Sequence, residues 1–226
     1  MKNYIESGKA ILGIEFGSTR IKAVLINDEG DVLAVGGYDW ENSLVNGIWT
    51  YGLDEIYAGL KGAYASLKKD VKERYGITLK NLKALGISGM MHGYLPFDGE
   101  GKLLANFRTW RNTTTAEAAG ILSKLFSFNI PQRWSIAHLY QAVLNGEEHV
   151  PRIYRLCTLA AYIHWKLTGK FVVGVGEASG IFPVDETPMD YNAEMAAQRD
   201  SLAQEKKIEK EKEKAEKKKK KLEVKK

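Results

Sequence analysis

The chain has 226 residues, 44% of them hydrophobic and 27% charged, enough for one large domain, or one and a half small ones, with a real core. Its single cysteine, Cys157, excludes an internal disulfide framework, and no window approaches the roughly 18 consecutive apolar residues of a membrane span. The formal charge of +5 belongs to the C-terminus: residues 204–226 hold twelve Lys and six Glu, net +6, leaving the rest near −1.

The opening MKNYIESGKA has no apolar stretch of the kind a leader needs, so a cytoplasmic protein is expected. Ala10–Phe16, Ile21–Ile26 and Asp31–Gly37 then read as three strands of a meander, with Asn27-Asp28-Glu29-Gly30 as the second turn. The first turn, Gly17-Ser18-Thr19, follows Glu15 and precedes Lys22. Glycine lets a ligand approach the backbone, hydroxyls and amide N–H groups donate to phosphate oxygens, and a carboxylate reaches a hard cation through water. Neither GxxxxGK[ST] nor a helix-opening GxGxxG occurs, so a Walker loop and a dinucleotide fingerprint are both unsupported. Local pattern leaves an ordinary hairpin turn equally open.

Leu53–Tyr75 has the spacing of an amphipathic helix, with Ile56, Leu60, Ala63, Tyr64, Leu67 and Val71 on one face and an end near Gly76. Leu82–Ile87 reads as a buried strand. Strands Tyr94–Phe97 and Phe107–Trp110 are expected to follow, separated by the Asp98-Gly99-Glu100-Gly101 turn. Helices are predicted over Thr113–Phe126, with threonines available as N-cap, over Ser135–Leu144, and over Leu156–Leu167, where Cys157 would be a core residue. A mixed sheet followed by helices gives an α/β class.

Ser88-Gly89-Met90-Met91-His92-Gly93 is a second candidate site, because strand ends in α/β sheets are where ligands collect. His92 can donate to or accept from a hydroxyl, and Met91 offers an apolar surface. Trp110 could stack on the C–H groups of a ligand; Arg111 and Asn112 either bind hydroxyls or sit on the surface. Each has ordinary packing as its plain alternative.

The tail QEKKIEKEKEKAEKKKKKLEVKK has one mediocre apolar position per heptad, Ile208, Ala215 and Leu222, too few for a coiled-coil seam. It reads as a charged single helix or as disorder. The Lys217–Lys221 run would suit an anionic partner, but no aromatic residue is interleaved for base stacking, so nucleic acid is not an expected partner.

Taken in order, GIEFGSTRIKAVL, ALGISGMMHGYLPFDGEGKLL (Ala84–Leu104), TWRN (Thr109–Asn112), WKLTGKF (Trp165–Phe171) and GEASGIFPVD (Gly176–Asp185) resemble the N-terminal domain of FGGY-type carbohydrate kinases, in particular the xylulokinase-like members. These belong to the actin, Hsp70 and sugar-kinase superfamily, and the resemblance covers most of the chain up to about Asp190. It implies a ribonuclease H-like (actin-like ATPase) lobe with a mixed sheet and flanking helices over residues 1–195, followed by a Lys/Glu-rich tail over 196–226. It implies ATP-dependent phosphorylation of a sugar hydroxyl, a ketose such as a pentulose, with ATP and Mg²⁺ as cofactors. Gly17, Ser18, Thr19 and Lys22 would address phosphates, and Glu15 would address Mg²⁺, directly or through water. Met91, His92, Trp110, Arg111 and Asn112 would line the sugar pocket, and Arg133, Trp134 and His138 lie where members carry pocket or hinge residues.

Two positions depart from the family pattern with charge retained: Glu15 stands for an aspartate, and Glu177 for the aspartate before Ala-Ser-Gly. The aspartate base, second phosphate loop and adenosine pocket belong to the family's C-terminal half and have no counterpart in this chain. The expectation is therefore an incomplete lobe with weak or no activity alone, partnered by a sugar and by a separate C-terminal lobe. A non-catalytic sugar-binding or interaction protein with a basic tail is the alternative. An actin- or Hsp70-like ATPase is a third reading, against which the Met91-His92 and Trp110 blocks argue.

Overall fold

Alternation along the first strands decides the architecture. In the computed structural model, which describes residues 1–223, a short helix α1 (Lys2–Glu6) buries Ile5 and leads into strands β1 (Ile11–Phe16), β2 (Arg20–Ile26) and β3 (Val32–Asp39). Leu12, Ile14 and Phe16 of β1 and Ile21, Ala23 and Leu25 of β2 point into one core, while Gly13, Glu15, Arg20 and Lys22 face out. A small hairpin, β4 (Ser43–Val45) and β5 (Ile48–Thr50), precedes the long helix α2 (Leu53–Tyr75).

Helix α2 has the predicted limits. Glu55 reaches back to the Gly52 N–H at 2.6 Å, and Gly76 closes the helix in the left-handed region at φ 70°. It packs across β2 and β3 on Ile56, Ala63, Leu67 and Val71. Gly36 on β3 permits this approach: a Cβ there would lie 2.3 Å from the Leu67 nitrogen and 2.5 Å from the Ala63 oxygen.

Strand β6 (Ala84–Gly89) returns parallel to β1, giving the mixed order β3-β2-β1-β6 with Phe16 opposite Gly89. The strand is not buried as its apolar run suggests; Leu85 is 44% exposed. It pairs on one side only among the described residues, and the neighbouring helix lies against its Gly89 end.

Strand β7 (Leu95–Phe97) follows, then the Asp98 turn, in which Asp98 Oδ1 accepts from Glu100 and Lys102 N–H at 3.0 and 2.8 Å. The strand expected over Phe107–Trp110 is reduced to one antiparallel bridge, Tyr94 to Arg108, because the chain turns at Thr109, whose carbonyl accepts from Asn112 N–H. Helix α3 (Ala116–Phe126) starts after Thr115, whose hydroxyl donates to Gln132 O at 2.5 Å and so does not cap the helix. Helix α4 (Ser135–Leu144) has the predicted limits, and a 3₁₀ turn (Val150–Arg152) follows it.

The helix predicted over Leu156–Leu167 begins three residues late, because β8 (Arg155–Cys157) pairs with β7 and Thr158 then caps α5 (Leu159–Thr168). Cys157 is a core residue, as expected, but in a strand, and burial pushes its thiol up to about 12. A one-turn helix α6 (Val175–Ala178) and a hairpin, β9 (Val184–Asp185) and β10 (Asp190–Tyr191), lead into helix α7 (Ala193–Glu223). The tail is thus helical, one of the two states its composition allows; Lys225, Lys226 and the side chains of the Lys217–Lys221 run lie outside the described part. No described helix is long and apolar enough to cross a membrane.

Two apolar cores result. The larger joins β1, β2, β3, α2, β7 and α5. The smaller joins α3 and α4 with Ile181, Phe182 and the first turns of α7 through Met195, Ala196 and Leu202.

Candidate functional site

Parallel pairing of β1 and β6 brings two strand ends together: the Gly17-Ser18-Thr19 turn leaves β1 where Met90, Met91 and His92 leave β6, and Met90 N–H donates to Phe16 O at 3.0 Å. The turn has a polarity of its own. All three of its carbonyls are engaged, Gly17 O by the Trp40 indole N–H at 2.8 Å, Ser18 O by the Tyr51 hydroxyl at 2.6 Å, and Thr19 O by Trp40 N–H at 3.2 Å. Among the described residues the Ser18 and Thr19 amides and hydroxyls have no partner. Gly17 is required sterically, since a Cβ would lie 2.8 Å from Arg20 O.

Trp40 and Tyr51, both buried, stack with centroids 4.1 Å apart, and Phe16 meets Trp40 edge-on at 5.9 Å. These supports had no signal in the sequence. They lie 23 and 33 residues from the carbonyls they hold, and neither stands in a motif.

Glu15 and Lys22 are cross-strand partners, Nζ to Oε2 3.3 Å, both about half exposed. They edge a shallow groove of about 400 Å³ on the open sheet face with Gly13, Val24, Gly86 and Ser88. Lys22 therefore answers Glu15 before any ligand. No group of three or more His, Cys, Asp or Glu that could hold a metal occurs among the described residues, so these make no all-protein cage. A hydrated Mg²⁺ sharing phosphate oxygens needs only one or two carboxylates, and Glu15 beside the turn meets that demand if Lys22 gives way.

On the second strand end, His92 sits at φ 67° and Gly93 at φ 100°. The left-handed conformation is costly for histidine and persists because its surroundings over-determine it. Nδ1–H donates to Gly180 O at 3.3 Å, Nε2 accepts from Arg133 Nε at 3.2 Å, the ring lies near-parallel to Trp134, and the Ser135 hydroxyl donates to Gly93 O at 2.5 Å. Both imidazole nitrogens are thus committed to protein partners. Burial, partly opposed by the hydrogen bond to Gly180 O and aided by the Arg133 guanidinium, holds the ring below its usual pKa and so neutral. The contact with Gly180 ties the GEASG block to this loop, which its sequence separation concealed.

Met91 and Trp110 are 46% and 44% exposed and remain open to a ligand. Asn112 does not: buried, it spends its amide on the main chain of Trp49 and Thr109. Arg111 lies over the Trp49 ring at 4.3 Å and donates to Asn42 Oδ1 at 3.0 Å. His138 is fully buried with neither nitrogen hydrogen-bonded, and burial drives its pKa down to about 3. It is a neutral core group.

Residues 10–206 match the model of the FGGY family of carbohydrate kinases, N-terminal domain. The chain belongs to that family. It is similar to the xylulose kinase of Escherichia coli (strain K12), 24% identical over 191 residues, which cover 80% of this chain and 38% of that one. Among solved structures, the xylulose kinase of Rhodospirillum rubrum superposes with TM-score 0.71 at 20% identity, covering 84% of this chain and 41% of that one. Plasmodium falciparum glycerol kinase, solved with ADP, superposes with TM-score 0.65 at 15% identity, covering 83% and 40%. These likenesses show the actin-like fold. The chain thus spans about two fifths of the length of the relatives it matches.

Proposed function

We propose that this chain forms the phosphate- and sugar-facing lobe of an ATP-dependent carbohydrate kinase acting on a ketose such as a pentulose. The observation that carries the reading is the polarity of the Gly17–Thr19 turn: its carbonyls are drawn inward by Trp40 and Tyr51, which leaves the Ser18 and Thr19 donors for phosphate oxygens. The xylulose kinases and the ADP-bound glycerol kinase among its relatives support the substrate and nucleotide classes.

In this reading Gly17, Ser18 and Thr19 hold terminal phosphates, with Lys22 near enough to follow Glu15 towards them. Glu15 holds hydrated Mg²⁺. ATP supplies the transferable phosphoryl group, and Mg²⁺ neutralises charge on it. The sugar lies on the β6 side, against Met91 and Trp110, with His92 shaping the wall through its ring face and through Arg133. Asn112 acts by holding the Trp110 loop and Arg111 by lining its outer side, not through bonds to hydroxyls. The base that accepts the sugar proton comes from a C-terminal kinase lobe, which we place as the partner of this one.

The test is calorimetric titration of the purified chain with Mg²⁺-ATP and, separately, with D-xylulose, followed by ADP release when both are present. Binding of both, with nucleotide binding lost in Gly17→Ala and sugar binding weakened in Trp110→Ala, is the expected result. Nucleotide binding indifferent to Gly17 would sink the assignment.

A further inference from the structure

Two arms carry the open sugar-side residues: the loop with Met91 and His92, and the loop with Trp110. Each is anchored two residues away by a bridge, since Tyr94 and Arg108 pair antiparallel, with N–H to O distances of 3.0 and 3.2 Å in the two directions. The two anchors are also joined through side chains. The Tyr94 hydroxyl meets His149 Nε2 at 2.7 Å, His149 Nδ1 lies 3.5 Å from Glu147 Oε2, the same Glu147 oxygen is bonded by the Arg108 guanidinium, and that guanidinium lies over the Tyr94 ring at 5.0 Å. The ring of four residues is closed. Tyr94, Arg108 and His149 are all buried.

We propose that Glu147 and His149 are positioning residues that lock the two sugar-side arms in register. This rests on the sugar-pocket reading above. Glu147 reaches the Trp110 arm through Arg108 and the His92 arm through His149 and Tyr94, so one carboxylate from the segment after α4 controls both. A carboxylate on one imidazole nitrogen fixes which tautomer the ring adopts. Here Glu147 Oε2, 3.5 Å from Nδ1, favours the tautomer with its proton on Nδ1, which leaves Nε2 to accept from the Tyr94 hydroxyl. Burial in this ring makes an unsatisfied member expensive, so the arms move together or not at all.

The experiment places spin labels at Met91→Cys and Trp110→Cys in a Cys157→Ala background and reads their separation by double electron–electron resonance. Tyr94→Phe, which removes only the hydroxyl, and Glu147→Gln, which keeps the shape, are compared with the parent, and a urea midpoint is taken for each. A narrow distribution in the parent that broadens or splits in both variants, while the protein stays folded, is expected. An unchanged distribution overturns the proposal. In the unlabelled protein, D-xylulose affinity should fall roughly fivefold per variant, the worth of one hydrogen bond. If Trp110→Ala weakens D-xylulose binding but Tyr94→Phe and Glu147→Gln leave it intact, the positioning role is wrong. If Trp110→Ala changes nothing, it is the sugar-pocket reading that fails, and the label distances alone decide the lock.

Discussion

Asn112 grips Trp49 by both ends of its amide: Oδ1 accepts from Trp49 N–H at 2.9 Å, and Nδ2 donates to Trp49 O at 2.9 Å. A side chain thereby replaces the neighbouring strand that β5 lacks on this flank, and the Trp110 loop is pinned to the β4–β5 hairpin. Asn112→Ala leaves the Trp49 N–H without a partner, while Trp49 O keeps the Thr109 N–H and Thr109 O keeps the main-chain N–H of residue 112. A loss of about 2 kcal/mol is expected, read as a lower urea midpoint at unchanged slope. Loss of sugar affinity without that loss of stability would show that Asn112 touches the ligand after all.

Gly17→Ala places a methyl against the Arg20 carbonyl, a main-chain atom that cannot move without opening the β1–β2 hairpin. Nucleotide affinity should fall at least tenfold while D-xylulose binding is kept, because the sugar-side loops hang from β6. Parallel titrations of the two ligands check this.

Trp40→Phe keeps a ring for Tyr51 to stack on but deletes the indole donor to Gly17 O. Expected is a stability loss of about 1 kcal/mol and a weaker grip on phosphate, since the turn carbonyl is free to swing outward. Phosphorus NMR of bound ATP, compared with the thermal midpoint, separates the two effects.

Acid should destabilise this lobe. His138, with a folded pKa of about 3 caused by burial, must stay neutral in the native state. Its contribution is present above the unfolded value near 6.5 and drains away as pH falls toward 3. Between pH 7 and 5 that is about 2 kcal/mol. His92 and His149, also held down by burial, add in the same direction; around His149 the nearby charges are Glu147, Arg108 and Arg152. His138→Leu should flatten the acid limb, measured as urea midpoints at pH 7 and pH 5. A limb as steep as the parent's would show that other groups govern it.

What the sequence could tell followed period and punctuation. Helix α2 is legible to the residue because a long apolar stripe ends at a glycine, and α4 is legible from its periodicity. The meander was legible from alternation and turn residues. Burial of β6 was misjudged, because an apolar run says nothing of how many neighbours a strand finds. The helix drawn through Leu156 missed β8, a three-residue strand whose identity lies in its pairing with β7. Within the site, residue types pointed to Gly17–Thr19, His92 and Trp110, but not to which of their atoms are spoken for. Asn112 and His92 looked like free hydrogen-bonding groups in sequence. Only contacts made 88 residues away for His92, and 63 for Asn112, consume them.

The two apolar cores stay separate, and the hydrogen-bonded group of Tyr94, Arg108, Glu147 and His149 belongs to neither. Apolar surface fuses a molecule into one cooperative block, whereas a hydrogen-bonded boundary can part while both sides stay dry within. Amide exchange should therefore show two tiers. The strands β1 and β2 with α2 would exchange at the global rate, and α3 and α4 faster and together, as a leaf that swings before the whole unfolds.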